Sequence, residues 1–151
     1  MRSNRCVVAR AGALAALVLV AGCEPETPQG AATEETTRAD LVYDPAAYDT
    51  VVWASDEEAV ARGRDIFQWA CAECHGTGGA GDGGRVIDGD TLRPPSFLTP
   101  DWEYAEDPDA LHRKVFVGNE LGMPHWGLRQ MRPRDIVAVE RYIRVGLRSE
   151  G

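Results

Sequence analysis

The pattern of apolar and polar positions divides the 151-residue chain into unlike stretches. Residues 11–22 (AGALAALVLVAG) are an uncharged apolar run, preceded by Arg2, Arg5 and Arg10 without an acid. A basic start, a short apolar run and small residues at its end predict a signal peptide over residues 1–22, and the run falls short of the ~20 residues that cross a bilayer as a helix. From Glu24 to Asp40 (EPETPQGAATEETTRAD) no large apolar residue occurs, which predicts a disordered tether over residues 23–40. As a flexible chain of that length it would span about 20–25 Å on average and roughly 55–60 Å when stretched. Residues 41–55 regain Tyr43, Tyr48, Val51, Val52 and Trp53 without helical spacing, and are expected to lie extended and ordered over the edge of the domain that follows at 56–148.

Helical periodicity begins at Asp56. Ser55 followed three residues later by Glu58 is a capping box, and Ala59, Gly63, Ile66, Phe67 and Ala70 recur on one face, predicting a helix over 56–70. Three prolines between Leu92 and Pro100 forbid a regular helix there. Asp107-Pro108-Asp109 opens a second, short helix with Leu111, Val115 and Phe116 inward and Gly118 as its stop. A last helix is predicted from Pro133 to about Leu147, on the apolar stripe Ile136, Val139, Tyr142, Ile143 and Leu147. No repeat and no hairpin is expected, so the domain is read as all-α, three to four short helices with long loops. That is little material for a core, and something else should fill its centre.

Charge and cysteines sharpen this. The formal charge of −8 and a pI near 4.8 argue against nucleic acid as a partner, because phosphate binding needs clustered cations, and Lys114 as the sole lysine rules out docking through a ring of lysines. Loss of Arg2, Arg5 and Arg10 with the leader takes the charge to −11. Val20-Ala21-Gly22-Cys23 looks like the lipobox of bacterial lipoproteins, in which Cys23 becomes the lipidated first residue; ordinary cleavage is the alternative. Cys6 leaves with the leader, and one close pair remains.

That pair is Cys71-Ala72-Glu73-Cys74-His75, the C-x-x-C-H attachment signature for haem c. On a helical turn both thiols can face the two vinyl groups of one haem, with His75 beneath the iron as an axial ligand. A zinc half-site would need a second Cys/His pair, which the sequence lacks. Met123, Met131, His112 and His125 are the candidates for the sixth ligand. His112, beside Arg113 and Lys114, reads as a solvated surface residue, and Met131 as a core side chain. G-x-G-x-x-G at Gly79, Gly81 and Gly84 follows a helix rather than a strand, which excludes a dinucleotide fingerprint and points to packing.

With these motifs in place, residues 56–147 resemble a monohaem class I c-type cytochrome in its bacterial lipoprotein form. The resemblance lies in a first helix running into CxxCH, a Met-Pro loop some fifty residues on, and a closing helix. It implies a small cytochrome c fold around one covalent haem c, with Gly63 and Tyr142 at the close crossing of the outer helices. It implies Met123, in Gly122-Met123-Pro124, as the iron ligand opposite His75, with His125 as the rival. It also implies that a carbonyl of Pro94 or Pro95 orients His75. Phe97, Leu98 and Trp126 read as pocket lining, and Arg85, Arg93 and Arg129 are candidates to pair with haem propionates, with solvated surface charge the alternative for each.

Both axial positions would then be filled, so outer-sphere electron transfer is expected rather than enzymatic turnover. The expected setting is the periplasmic side of a bacterial membrane, reached through lipid on Cys23. The expected partner is a membrane redox complex (an oxidase, a photosynthetic reaction centre or a quinol-oxidising complex) presenting a basic docking patch to this acidic chain. A fixed subunit of such a complex and a haem-based sensor with a displaceable Met123 are the alternatives.

Overall fold

The computed structural model describes residues 28–150. The leader and Cys23 lie outside the described residues. The elements are helices α1 (Pro28–Val42), α2 (Ala46–Asp49), α3 (Asp56–Ala70), α4 (Ala72–His75) and α5 (Pro108–Val117), then a terminal helix. The last starts as α6 (Pro133–Arg141), widens to a π-helical stretch (Tyr142–Leu147) and ends in the turn α7 (Arg148–Glu150). Two short strands, β1 (Val86–Ile87) and β2 (Asp90–Thr91), pair antiparallel with Val86 opposite Thr91.

Helix starts follow local chemistry. Ser55 Oγ accepts the Glu58 amide at 3.2 Å, and Asp56, Glu57 and Glu58 place negative charge on the first turn of α3. Asp107 Oδ1 accepts the Ala110 amide at 2.9 Å and caps α5, which Gly118 ends. The buried face of α3 (Ala59, Gly63, Ile66, Phe67) lies across the terminal helix, where Phe67 meets Tyr142 edge-on at 5.4 Å. Phe67, Ile136, Val139, Ile143, Leu147 and Met131 share one core with Leu111 and Val115 of α5.

Three expectations need correction. The segment read as a tether is helical from Pro28 and runs past Asp40 to Val42. Its Ala, Gln, Glu and Arg residues favour helix, but no apolar stripe marks it. What holds it is contact with α5: Ala39 is fully buried and Asp40 pairs with Arg113. The stretch expected to be extended contains α2, whose Tyr48 is buried beneath α5. And there is a hairpin: Asp88 (φ 53°) and Gly89 (φ 91°) supply the two left-handed residues of a two-residue turn, the Asp-Gly signal that the short strands on either side obscured. No helix among the described residues is long and apolar enough to cross a membrane.

Candidate functional site

The end of α3 turns directly into α4, and this turn builds the site. Cys71 donates its amide to Phe67 O at 2.9 Å and accepts from the Cys74 and His75 amides at 3.1 and 2.9 Å. All three side chains line one cavity of about 540 Å³, within the range of cofactor pockets. Both thiols are free. Burial pushes the Cys71 thiol up to about 12, with Cys74 adding to the effect. Burial also raises Cys74, with Arg85 opposing and Glu73 reinforcing the shift. Burial lowers His75 to about 4, so its imidazole is neutral near pH 7, the form that can donate to a metal.

The far side of the cavity comes from the loops. Pro94, Pro95 and Phe97 line it, as do Met123 and Trp126. Gly81 (φ 82°) allows the first of these loops to approach: a Cβ there would stand 2.2 Å from the Pro94 carbonyl oxygen. Phe97 stacks on the His75 ring at 4.6 Å, while Leu98 beside it is exposed rather than pocket-lining. The carbonyl contact expected from Pro94 or Pro95 is not made, since His75 Nδ1 is buried without a hydrogen-bond partner.

The four sixth-ligand candidates separate cleanly. Met123 faces the cavity; Met131 packs in the core. His125 is buried but turned away, its Nδ1 on the Val117 carbonyl and its Nε2 3.7 Å from Glu35 of α1. His112 is buried rather than solvated, stacked on Tyr48. Sequence reasoning missed Asn119, whose Oδ1 accepts the Leu121 and Met123 amides at 3.0 and 3.1 Å and whose own amide donates to Met123 O at 3.1 Å. An Asn just past a helix-ending Gly is the local signal for such a side-chain-closed turn. Of the arginines, Arg93 reaches the cavity, Arg85 pairs with Glu73 at 2.6 Å, and Arg129 does not line it.

These residues fit a covalently held haem. An apolar cavity of suitable size carries two unpaired thiols, a neutral imidazole and a thioether on its walls. No group of three or more His, Cys, Asp or Glu side chains that could hold a metal ion occurs among the described residues. A family model described as cytochrome c oxidase, cbb3-type, subunit III matches residues 58–143, more than half of the chain. No curated protein and no solved structure matches it.

Proposed function

Because the chain belongs to this c-type cytochrome family and is a monohaem protein with one covalent haem c, we propose that it works as a membrane-tethered, periplasmic single-electron carrier. The observation that carries this reading is the meeting of Cys71, Cys74, His75 and Met123 in one apolar cavity. Bound there, the haem supplies a one-electron iron couple. Cys71 and Cys74 would hold it by thioether bonds, and His75 and Met123 would be the donors to its iron. The apolar walls (Phe97, Leu111, Val115, Val139, Ile143) keep water from the centre, and Asn119 fixes the loop that presents Met123. Trp126 lines the cavity and meets Trp69, 66% exposed, edge-on at 5.9 Å, so an apolar route runs from the site to the surface.

Lipid on Cys23 would keep the domain at the membrane at high local concentration, and the acidic surface suits a basic patch on a membrane redox complex. A fixed place in such a complex is the second reading. The family description and the exposed Leu41, Val42 and Val52 favour it, since exposed apolar side chains suit a permanent contact.

The test is a redox titration followed by absorption, on the wild type and Met123→His. The ferric wild type should display the long-wavelength Met–Fe band and a positive potential; the variant should lose the band and fall in potential. A wild type without the band would remove Met123 and the high potential together. Cys23→Ser should release the protein from membranes, and copurification with an oxidase after mild solubilisation would favour the fixed subunit over the shuttle.

A further inference from the structure

Behind the cavity wall lies a buried polar cluster that holding a haem does not require. His112 on α5 is 6% exposed, and neither ring nitrogen has a hydrogen-bond partner. Its Nδ1 lies 3.7 Å from Asp109 and its Nε2 3.7 Å from Glu140. One face of the ring stacks on Tyr48 of α2, with centroids 4.7 Å apart and planes 11° from parallel. Glu140 on the terminal helix is 2% exposed, bound by Arg144 at 2.7 Å and approached by Arg141 at 3.7 Å. Arg113, next along α5, turns outward to Asp40 of α1.

The ring chemistry identifies the ligand of this cluster. A neutral imidazole offers one N–H and one lone pair, whereas ionised carboxylates only accept. Between Asp109 and Glu140 a neutral ring therefore aims a lone pair at a carboxylate, and an imidazolium presents an N–H to each. Two nearby negative charges offset the cost of burying that cation. Leu111 and Val139, the chain neighbours of His112 and Glu140, both line the cavity. A charge at His112 thus sits one residue behind the wall of the site, in surroundings that screen it far less than water does.

We propose that His112, held between Asp109 and Glu140, is a redox-linked proton site that takes up one proton when the protein is reduced and releases it on oxidation. This rests on the electron-carrier reading. One electron comes from the reduced partner protein, and one proton from solvent adds to the free ring nitrogen, with the 88%-exposed Asp109 carboxylate facing water. On oxidation the electron passes to the next partner and the proton returns to solvent. The extra negative charge of the reduced site favours the imidazolium, and reciprocally the imidazolium favours the reduced site.

Midpoint potentials of the intact holoprotein between about pH 5 and 9, together with NMR titration of the His112 ring in both redox states, test this. The midpoint should fall as pH rises through the His112 titration and level off on either side. Proton binding about tenfold tighter in the reduced state corresponds to a total change of about 59 mV. His112→Gln should flatten the profile while keeping the Met–Fe band. A flat wild-type profile, a slope that survives in His112→Gln, or a His112 titration at the same pH in both states would overturn the proposal. Should that variant not take up haem, Glu140→Gln must move the step to lower pH, and an unmoved step has the same force. Failure of the carrier reading looks different: no reversible one-electron wave at any pH.

Discussion

Gly63 and Ala138 touch backbone to backbone: a Cβ on Gly63 would stand 1.9 Å from the Ala138 carbonyl oxygen and 2.8 Å from Tyr142 Cβ. This crossing fixes α3, which ends at Cys71, against the helix that supplies Val139 and Ile143 to the cavity. Gly63→Ala is predicted to cost about 1–3 kcal/mol through overpacking, even though Ala is the better helix former by roughly 1 kcal/mol. Thermal unfolding of the oxidised holoprotein reads the difference. An unchanged or higher Tm would mean that the helices can part without loss.

The Met123 loop depends on Asn119. Removing its side chain leaves the Leu121 and Met123 amides without their shared acceptor, so Asn119→Ala should loosen the loop by about 1–2 kcal/mol. Added imidazole should then displace the Met–Fe band at roughly tenfold lower concentration than in the wild type. Equal displacement curves would show that Asn119 does not hold the loop.

His125→Phe should keep the Met–Fe band, because the His125 ring faces Val117 and Glu35 rather than the cavity. The lost bond to the Val117 carbonyl should still lower stability by about 1–3 kcal/mol in denaturant unfolding. Disappearance of the band with this substitution would return His125 to the ligand set.

Stability should fall in acid partly through Asp135. Burial pushes its carboxyl up, but hydrogen bonds from Arg132 (3.0 Å) and Arg62 (3.2 and 3.0 Å), with their charges, outweigh that and leave it below the ordinary carboxylate value. A carboxyl held lower in the folded state contributes stability that is complete above its unfolded value near 3.8 and is lost as pH falls through the folded value. Urea midpoints should therefore drop below about pH 4, and less steeply in Asp135→Asn, which starts from a lower plateau. Parallel wild-type and variant curves would assign the acid loss to other groups.

What could be read along the chain was what is decided within a few residues. The Ser55 and Asp107 caps, the apolar stripe of the terminal helix and the C-x-x-C-H turn all rest on short-range spacing, and the structure has them where the spacing puts them. Elsewhere distant contacts decided. His112 has charged neighbours in sequence, and Tyr48 and Glu140 bury it from two other elements. His125 and Met123 stand two residues apart in one loop, and the carbonyl at the end of α5 is what turns His125 away. Asp40 sits in a stretch with no apolar stripe, and its partner Arg113 lies more than seventy residues on.

Helix α1 also changes how the domain can stand at a membrane. With lipid on Cys23, as proposed, five residue steps separate the anchor from Pro28, a reach of no more than roughly 18 Å where a fully flexible tether allowed several times that. Since α1 is packed against α5 through Ala39 and the Asp40–Arg113 pair, the anchor leads straight into a helix fixed to the haem domain. The protein would then ride low over the lipid surface with one side facing it, and the choice of partner would depend on the height at which that partner presents its own redox centre.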